Sequence, residues 1–136
     1  MALVPDALSA QERPDPREYV GCYALFLGPW EPALPIGADM VYLRPPTSIE
    51  LTDRKTRGGA GWEIRPLTRP NPRFRFAEWS RVGNGIRLVW SSGFSGLRAA
   101  LTRQGESFVG YAESFWDFER PTQRATIEAL PVQCRS

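Results

Sequence analysis

What most constrains this chain is the rhythm of its second half. From Phe74 onward apolar and polar residues alternate in short runs, and glycine-bearing turns separate the runs. Successive side chains of an extended strand point to opposite faces, so a period of two reads as a strand with one buried face. Phe74 to Val82 leads through Gly83-Asn84-Gly85, a strong hairpin signal, into Ile86 to Ser91. In that second run Ile86, Leu88 and Trp90 share one face, with Arg87 and Val89 on the other. Ser92-Gly93-Phe94 turns the chain into Leu97 to Arg103, and Gln104-Gly105-Glu106 turns it again into Phe108 to Phe118. The last strand is Gln123 to Val132, where Ala125, Ile127 and Ala129 face one way and Arg124, Thr126 and Glu128 the other.

The first half follows the same rule less clearly. Residues 1–17 read as an irregular leader, polar and broken by proline from Gln11 to Arg17, and residues 18–136 as one domain. Tyr19 to Leu27 is the first strand, followed by a Pro/Gly-rich connection from Gly28 to Gly37. Met40 to Arg44 and Thr47 to Thr52 follow across Pro45-Pro46, Asp53 to Gly61 is a basic, glycine-rich turn, and Trp62 to Thr68 is the next strand. The only helical rival is Ser92 to Gln104, where Leu97 and Leu101 stand four apart, and Gly93 and Gly96 weaken it. Eight or nine sequential strands predict an all-β fold, an antiparallel up-and-down β-barrel of about eight strands, because closure removes exposed edges. A two-sheet β-sandwich is the structural alternative. Five Trp, seven Phe and four Tyr in 136 residues are enough for a solid core.

Cys22 and Cys134 lie near the two ends of the folded region. In a closed barrel the first and last strands are neighbours, so a disulfide between them is geometrically natural. No CxxC and no histidine give the pair a metal or redox task. Ala2 to Ala10 fails as a signal peptide, lacking a basic start and interrupted by Pro5 and Asp6. Leu8-Ser9-Ala10 before Gln11 nevertheless resembles the tail of a cleavage site, as would remain if translation were assigned a start too far downstream. With the cysteine pair this points to an exported protein, periplasmic or secreted. No stretch approaches the roughly 20 apolar residues of a transmembrane helix, so no transmembrane segment is expected.

The opening residues Tyr19-Val20-Gly21-Cys22-Tyr23 resemble the G-x-W start of the calycin superfamily, the lipocalin-like small barrels, with Tyr23 where the family has Trp. Leu97 to Ala112, an alternating strand running through a Gly turn into Val109-Gly110-Tyr111-Ala112, is similar to the late hairpins of such barrels. The resemblance spans about Tyr19 to Cys134. It implies that Arg124 of the closing strand packs across Tyr23, and that the interior holds a cavity open at one end for small, often hydrophobic ligands. Haem-binding relatives use a His ligand, which this chain lacks.

The absence of histidine excludes Ser-His-Asp and Cys-His catalysis and removes the commonest zinc ligand. Glu113 and Asp117, flanking Ser114-Phe115-Trp116, are the one carboxylate pair to weigh for glycoside chemistry, and solvent-facing acids or arginine partners explain them better. Gly93-Phe94-Ser95-Gly96 is no nucleophile elbow, and no calcium loop or phosphate-binding glycine motif occurs. The chain therefore reads as a non-enzyme without metal or other cofactor. Arg54-Lys55-Thr56-Arg57-Gly58-Gly59 is the one local basic cluster, more simply a surface turn than an anion site. Seventeen basic against 15 acidic residues argue against a nucleic-acid partner.

Aromatic residues are the remaining binding candidates: Tyr23, Trp62, Trp79, Trp90 and Trp116, whose default role is core packing. Three readings follow. The first is a barrel that binds a small hydrophobic or amphipathic ligand. The second is an accessory subunit docking onto a protein partner in an envelope complex, through a strand face of mixed Arg and aromatic residues such as Arg73, Arg75 and Trp79, or the outward faces carrying Arg75, Arg87 and Arg98. An enzyme working through carboxylates ranks last.

Overall fold

A computed structural model describes residues 16–32, 44–116 and 123–134. Within them a short 3-10 turn, Pro16–Glu18, precedes eight strands: β1 (Gly21–Leu27), β2 (Ser48–Lys55), β3 (Trp62–Pro66), β4 (Phe76–Val82), β5 (Gly85–Ser91), β6 (Ser95–Gln104), β7 (Ser107–Trp116) and β8 (Arg124–Val132). Each strand pairs antiparallel with the next, and β8 returns to pair with β1, closing the barrel. Ser92 to Gln104 is turn and strand, so period two wins over the Leu97-Leu101 spacing. The expected strand Met40 to Arg44 falls largely outside the described residues, as do Phe118 and most of the leader.

Two strand boundaries moved for physical reasons. β2 runs on through Asp53, Arg54 and Lys55 because a register shift between Leu51 and Lys55 carries it past the bulge, confining the turn to residues 56–61. The Thr52 carbonyl, within that irregular stretch, accepts a hydrogen bond from the Trp79 indole at 2.8 Å. β4 starts at Phe76 instead of Phe74 because Asn71 builds a local turn. Its side-chain oxygen accepts from the Arg73 amide and its carbonyl from the Phe74 amide.

The alternation read from the sequence is the alternation of burial. Leu88, Leu97 and Ala112 are wholly inside, with Ile86, Trp90, Ile127 and Ala129 beside them. Trp79, Trp90 and Phe108 are the largest fully buried side chains. Their rings fill the space around the barrel axis, at roughly 25 cal/mol for each Å² removed from water. Gly83 (φ 59°) and Gly105 (φ 67°) turn the β4–β5 and β6–β7 hairpins in the left-handed region that favours glycine. Cys22 and Cys134 form the expected disulfide, with Cα atoms 5.3 Å apart. No helix among the described residues is long and apolar enough to cross a membrane.

The N-terminal turn closes one end of the barrel, its base. Tyr19 is buried there edge-on against Phe108 (5.0 Å), and its carbonyl accepts from the Tyr23 hydroxyl at 2.8 Å. The Arg81 guanidinium lies 4.1 Å from the Tyr19 ring and that of Arg103 lies 5.5 Å from it. Both arginines also donate to the Glu18 carboxylate, at 2.9 and 3.2 Å. The expected packing of Arg124 across Tyr23 is therefore corrected. Tyr23 pairs with Pro131 near the other end of β8 from Arg124, whose guanidinium stacks on the outward Tyr111 at 4.1 Å.

Candidate binding site

The barrel wall is not equally tight all round. β6 and β7 pair continuously from Ser95↔Trp116 to Gln104↔Ser107, whereas β3 and β4 pair only at Trp62↔Trp79 and Glu63↔Glu78. Beyond Glu63 the two strands part. The cause is local. Leu67 donates its amide to Ser48 on β2, so the preceding residue faces β4, and that residue is Pro66, which has no N–H to give. Pro70 and Pro72 in the connection then prevent the strands from zipping further.

A cleft of about 240 Å³ opens where they part. Trp90 and Ile64 form its floor, with Ala77 and Phe74 beside them and Pro46 and Pro66 on the walls. Asn71 stands at the rim, its side-chain amide donating to the Arg44 carbonyl at 3.1 Å and so tying the β3–β4 connection to the segment before β2. Glu63 and Arg75 supply the charge. The volume lies just below the roughly 300–1,000 Å³ usual for drug-sized ligands, and the mixture of apolar floor and few polar groups is typical of such sites.

The five aromatic candidates separate. Trp90 lines the cleft. Trp79 is buried in the core and packs against the half-buried Trp62, ring centres 5.5 Å apart. Trp62 in turn carries the Lys55 ammonium 4.8 Å above its ring. Tyr23 sits at the base against Phe108, and burial raises its hydroxyl pKa above the ordinary tyrosine value. The Trp116 backbone ends β7, and its side chain lies outside the described residues. Phe74, one of the further aromatics the sequence offers for a cavity mouth, lines the cleft, whereas sequence reading missed Ile64 and placed Arg75 on a docking face, although the cluster Pro66, Pro70 and Pro72 ahead of Phe74 was a readable sign of a broken seam. It also missed Trp30, which is buried with its indole N–H unpartnered among the described residues.

Among the described residues, the other candidate groups are engaged. Glu113 pairs with Arg98 at 3.7 Å on the outer face, and Asp117 lies outside the described residues. The Glu50 carboxylate and the sulfurs of Cys22 and Cys134 lie within 4.8 Å of one another, but both sulfurs are held in the disulfide. A second, polar hollow of about 200 Å³ lies on the outer face of β2 and β3, where Glu50 is ion-paired with Arg65.

Fold and site together define a class: a closed, disulfide-linked, eight-stranded antiparallel barrel with a lateral cleft. Comparison with family models, with curated proteins and with solved structures finds no match to this chain.

Proposed function

We propose that this chain is a non-catalytic binding protein that takes a small apolar or amphipathic ligand through the side of its barrel. The observation that carries the reading is the cleft of about 240 Å³ floored by Trp90, at the place where Pro66 leaves the wall unpaired. Trp90 is only 2% exposed, so an apolar group entering the cleft would rest mainly on the half-buried Phe74 and Ala77, with Trp90 beneath them. The calycin resemblance is supported by the barrel and by arginines packed over an aromatic at its base, here Arg81 and Arg103 over Tyr19. The binding space differs from the end-on cavity that resemblance implies, since Trp79, Leu88, Leu97 and Phe108 occupy the axis. The disulfide supports an oxidising compartment, periplasmic or extracellular.

The test is nuclear magnetic resonance titration with phenol. Amide and indole shifts should be confined to Ile64, Phe74, Ala77 and Trp90, and Ala77→Leu, which fills the cleft, should abolish them. Shifts spread along the barrel axis, or none at all, would refute the lateral site. The docking reading keeps one observation in its favour. Phe76, which starts β4 and lines the cleft, and Phe94, in the β5–β6 turn, are 61% and 68% exposed. On that reading Phe94→Ser should abolish capture of a protein partner and leave phenol binding intact.

A further inference from the structure

The cleft carries two opposite charges that do not neutralise each other. Glu63 comes from β3, where it borders both this cleft and the outer hollow, and Arg75 from the residue just before β4. Among the described residues neither side chain has an ion-pair or hydrogen-bonding partner, and they do not bridge to one another. Their neighbours are already engaged. Arg65, two residues along β3, is paired with Glu50. Glu78, opposite Glu63 in register, accepts from the Thr56 hydroxyl at 2.9 Å and the Gly61 amide at 3.1 Å. The Asn71 amide is bound to Arg44 and Arg73. Glu63 and Arg75 are therefore the two charged groups of the cleft left for a ligand, with an apolar floor between them.

Such a pair sorts ligands by charge. A simple anion attracted to Arg75 meets Glu63, and a simple cation attracted to Glu63 meets Arg75. A molecule carrying both charges satisfies both residues and places its apolar part against Phe74 and Ala77. Resting on the lateral-cleft reading above, we infer that the ligand class is a small zwitterion with an apolar body, such as a free apolar α-amino acid. Its carboxylate is received by the Arg75 guanidinium, which suits a planar two-oxygen acceptor. Its ammonium is received by Glu63, and its side chain lies against Phe74 and Ala77, above the buried Trp90.

The experiment titrates the intact, oxidised protein with four probes of one shape: L-phenylalanine, 3-phenylpropanoate, 2-phenylethylamine and 3-phenylpropanol, followed calorimetrically. L-phenylalanine should bind about tenfold more tightly than either singly charged probe, in line with charge-assisted hydrogen bonds. Arg75→Gln should erase its advantage over 2-phenylethylamine, and Glu63→Gln its advantage over 3-phenylpropanoate. Arg75 is exposed and Glu63 partly so, and neither side chain has a partner among the described residues to lose, so neither change should disturb the fold, which circular dichroism checks. Equal binding of all four probes, lost in Ala77→Leu, would overturn the zwitterion and leave the cleft standing. A preference for 3-phenylpropanoate or 2-phenylethylamine over L-phenylalanine would equally overturn it. Failure of every probe to bind would overturn the cleft reading itself.

Discussion

The β6–β7 sector and the β3–β4 sector are made from the same kinds of residue and behave differently. β6 and β7 are long, contain no proline, turn on Gly105 and stay in register from end to end. β3 is short, ends in Pro66 and leaves β4 after two pairs. Inward side chains alternate in both. The difference lies in backbone donors, since a ladder can extend only while each strand offers an N–H where the other offers a carbonyl. The strands stop pairing after Glu63 and Glu78, and Pro66 beyond them offers no amide with which to rejoin, so a doorway stays open in the wall above Trp90. A barrel can thus keep a closed topology and a side opening together, provided the remaining seams are tight.

The largest effect expected acts on both sectors at once. Replacing Cys22 and Cys134 by Ser frees a loop spanning a sequence separation of 112 residues, and should lower stability by about 4 kcal/mol in denaturant unfolding. Because that term belongs mostly to the unfolded chain, the two sectors should keep their ranking in amide-exchange protection. A loss under about 1 kcal/mol would mean that the unfolded chain is already closed by other contacts.

Paired truncations test the contrast directly. Leu97 is enclosed on all sides, so Leu97→Ala should cost about 4 kcal/mol, near the upper range for a cavity that cannot collapse. Ile64 borders the cleft, where neighbours can settle, and Ile64→Ala should cost about 2 kcal/mol. Equal costs would break the comparison. A subtler change is Pro66→Val, which restores the missing donor. It should slow amide exchange across β3 and β4, narrow the cleft and weaken phenol binding, with a stability change within about 1 kcal/mol. Unchanged exchange would place the cause of the split in the 67–75 connection instead.

The smallest effect is at the base. Arg81, by its hydrogen bond to Glu18, holds the Glu18 carboxyl below the ordinary glutamate value, with Arg103 adding to it. A carboxyl lowered in the folded state stabilises above its unfolded pKa and loses that contribution as pH falls through the lowered one. Glu18→Gln should therefore lower neutral-pH stability slightly and flatten the acid limb by the same small amount, as befits a half-exposed group. An acid limb as steep as that of the native chain would assign it to other carboxylates.

The barrel was legible because its strongest signals are local. Gly83-Asn84-Gly85 fixed one hairpin, the alternation Ile86, Leu88, Trp90 fixed its buried face, and the cysteines marked the closing seam. The site was not legible in the same way. Trp90 reads identically whether core or cleft floor, because what separates the two is a pairing failure two strands away. Pro66 could be seen, but which neighbour its missing amide faces depends on the register with Ser48, and register across β2 is disturbed by the bulge. The arginine partner at the base was misassigned for a similar reason: stacking on Tyr19 comes from Arg81 and Arg103, on strands distant in sequence.

The Glu18 clasp also has a consequence for the order of assembly. Arg81 and Arg103 each donate through Nε to the glycine carbonyl of their own turn, Gly83 and Gly105, at 3.3 and 3.0 Å. Each turn thereby aims its own arginine, and the two aimed guanidinium groups together make the receptor for one carboxylate. Both hairpins are short-range and close quickly, whereas the segment carrying Glu18 must return from 63 and 85 residues away to meet them. The N-terminal turn therefore finds its place only on a chain whose two middle hairpins are already complete, and its seating reports on both of them at once.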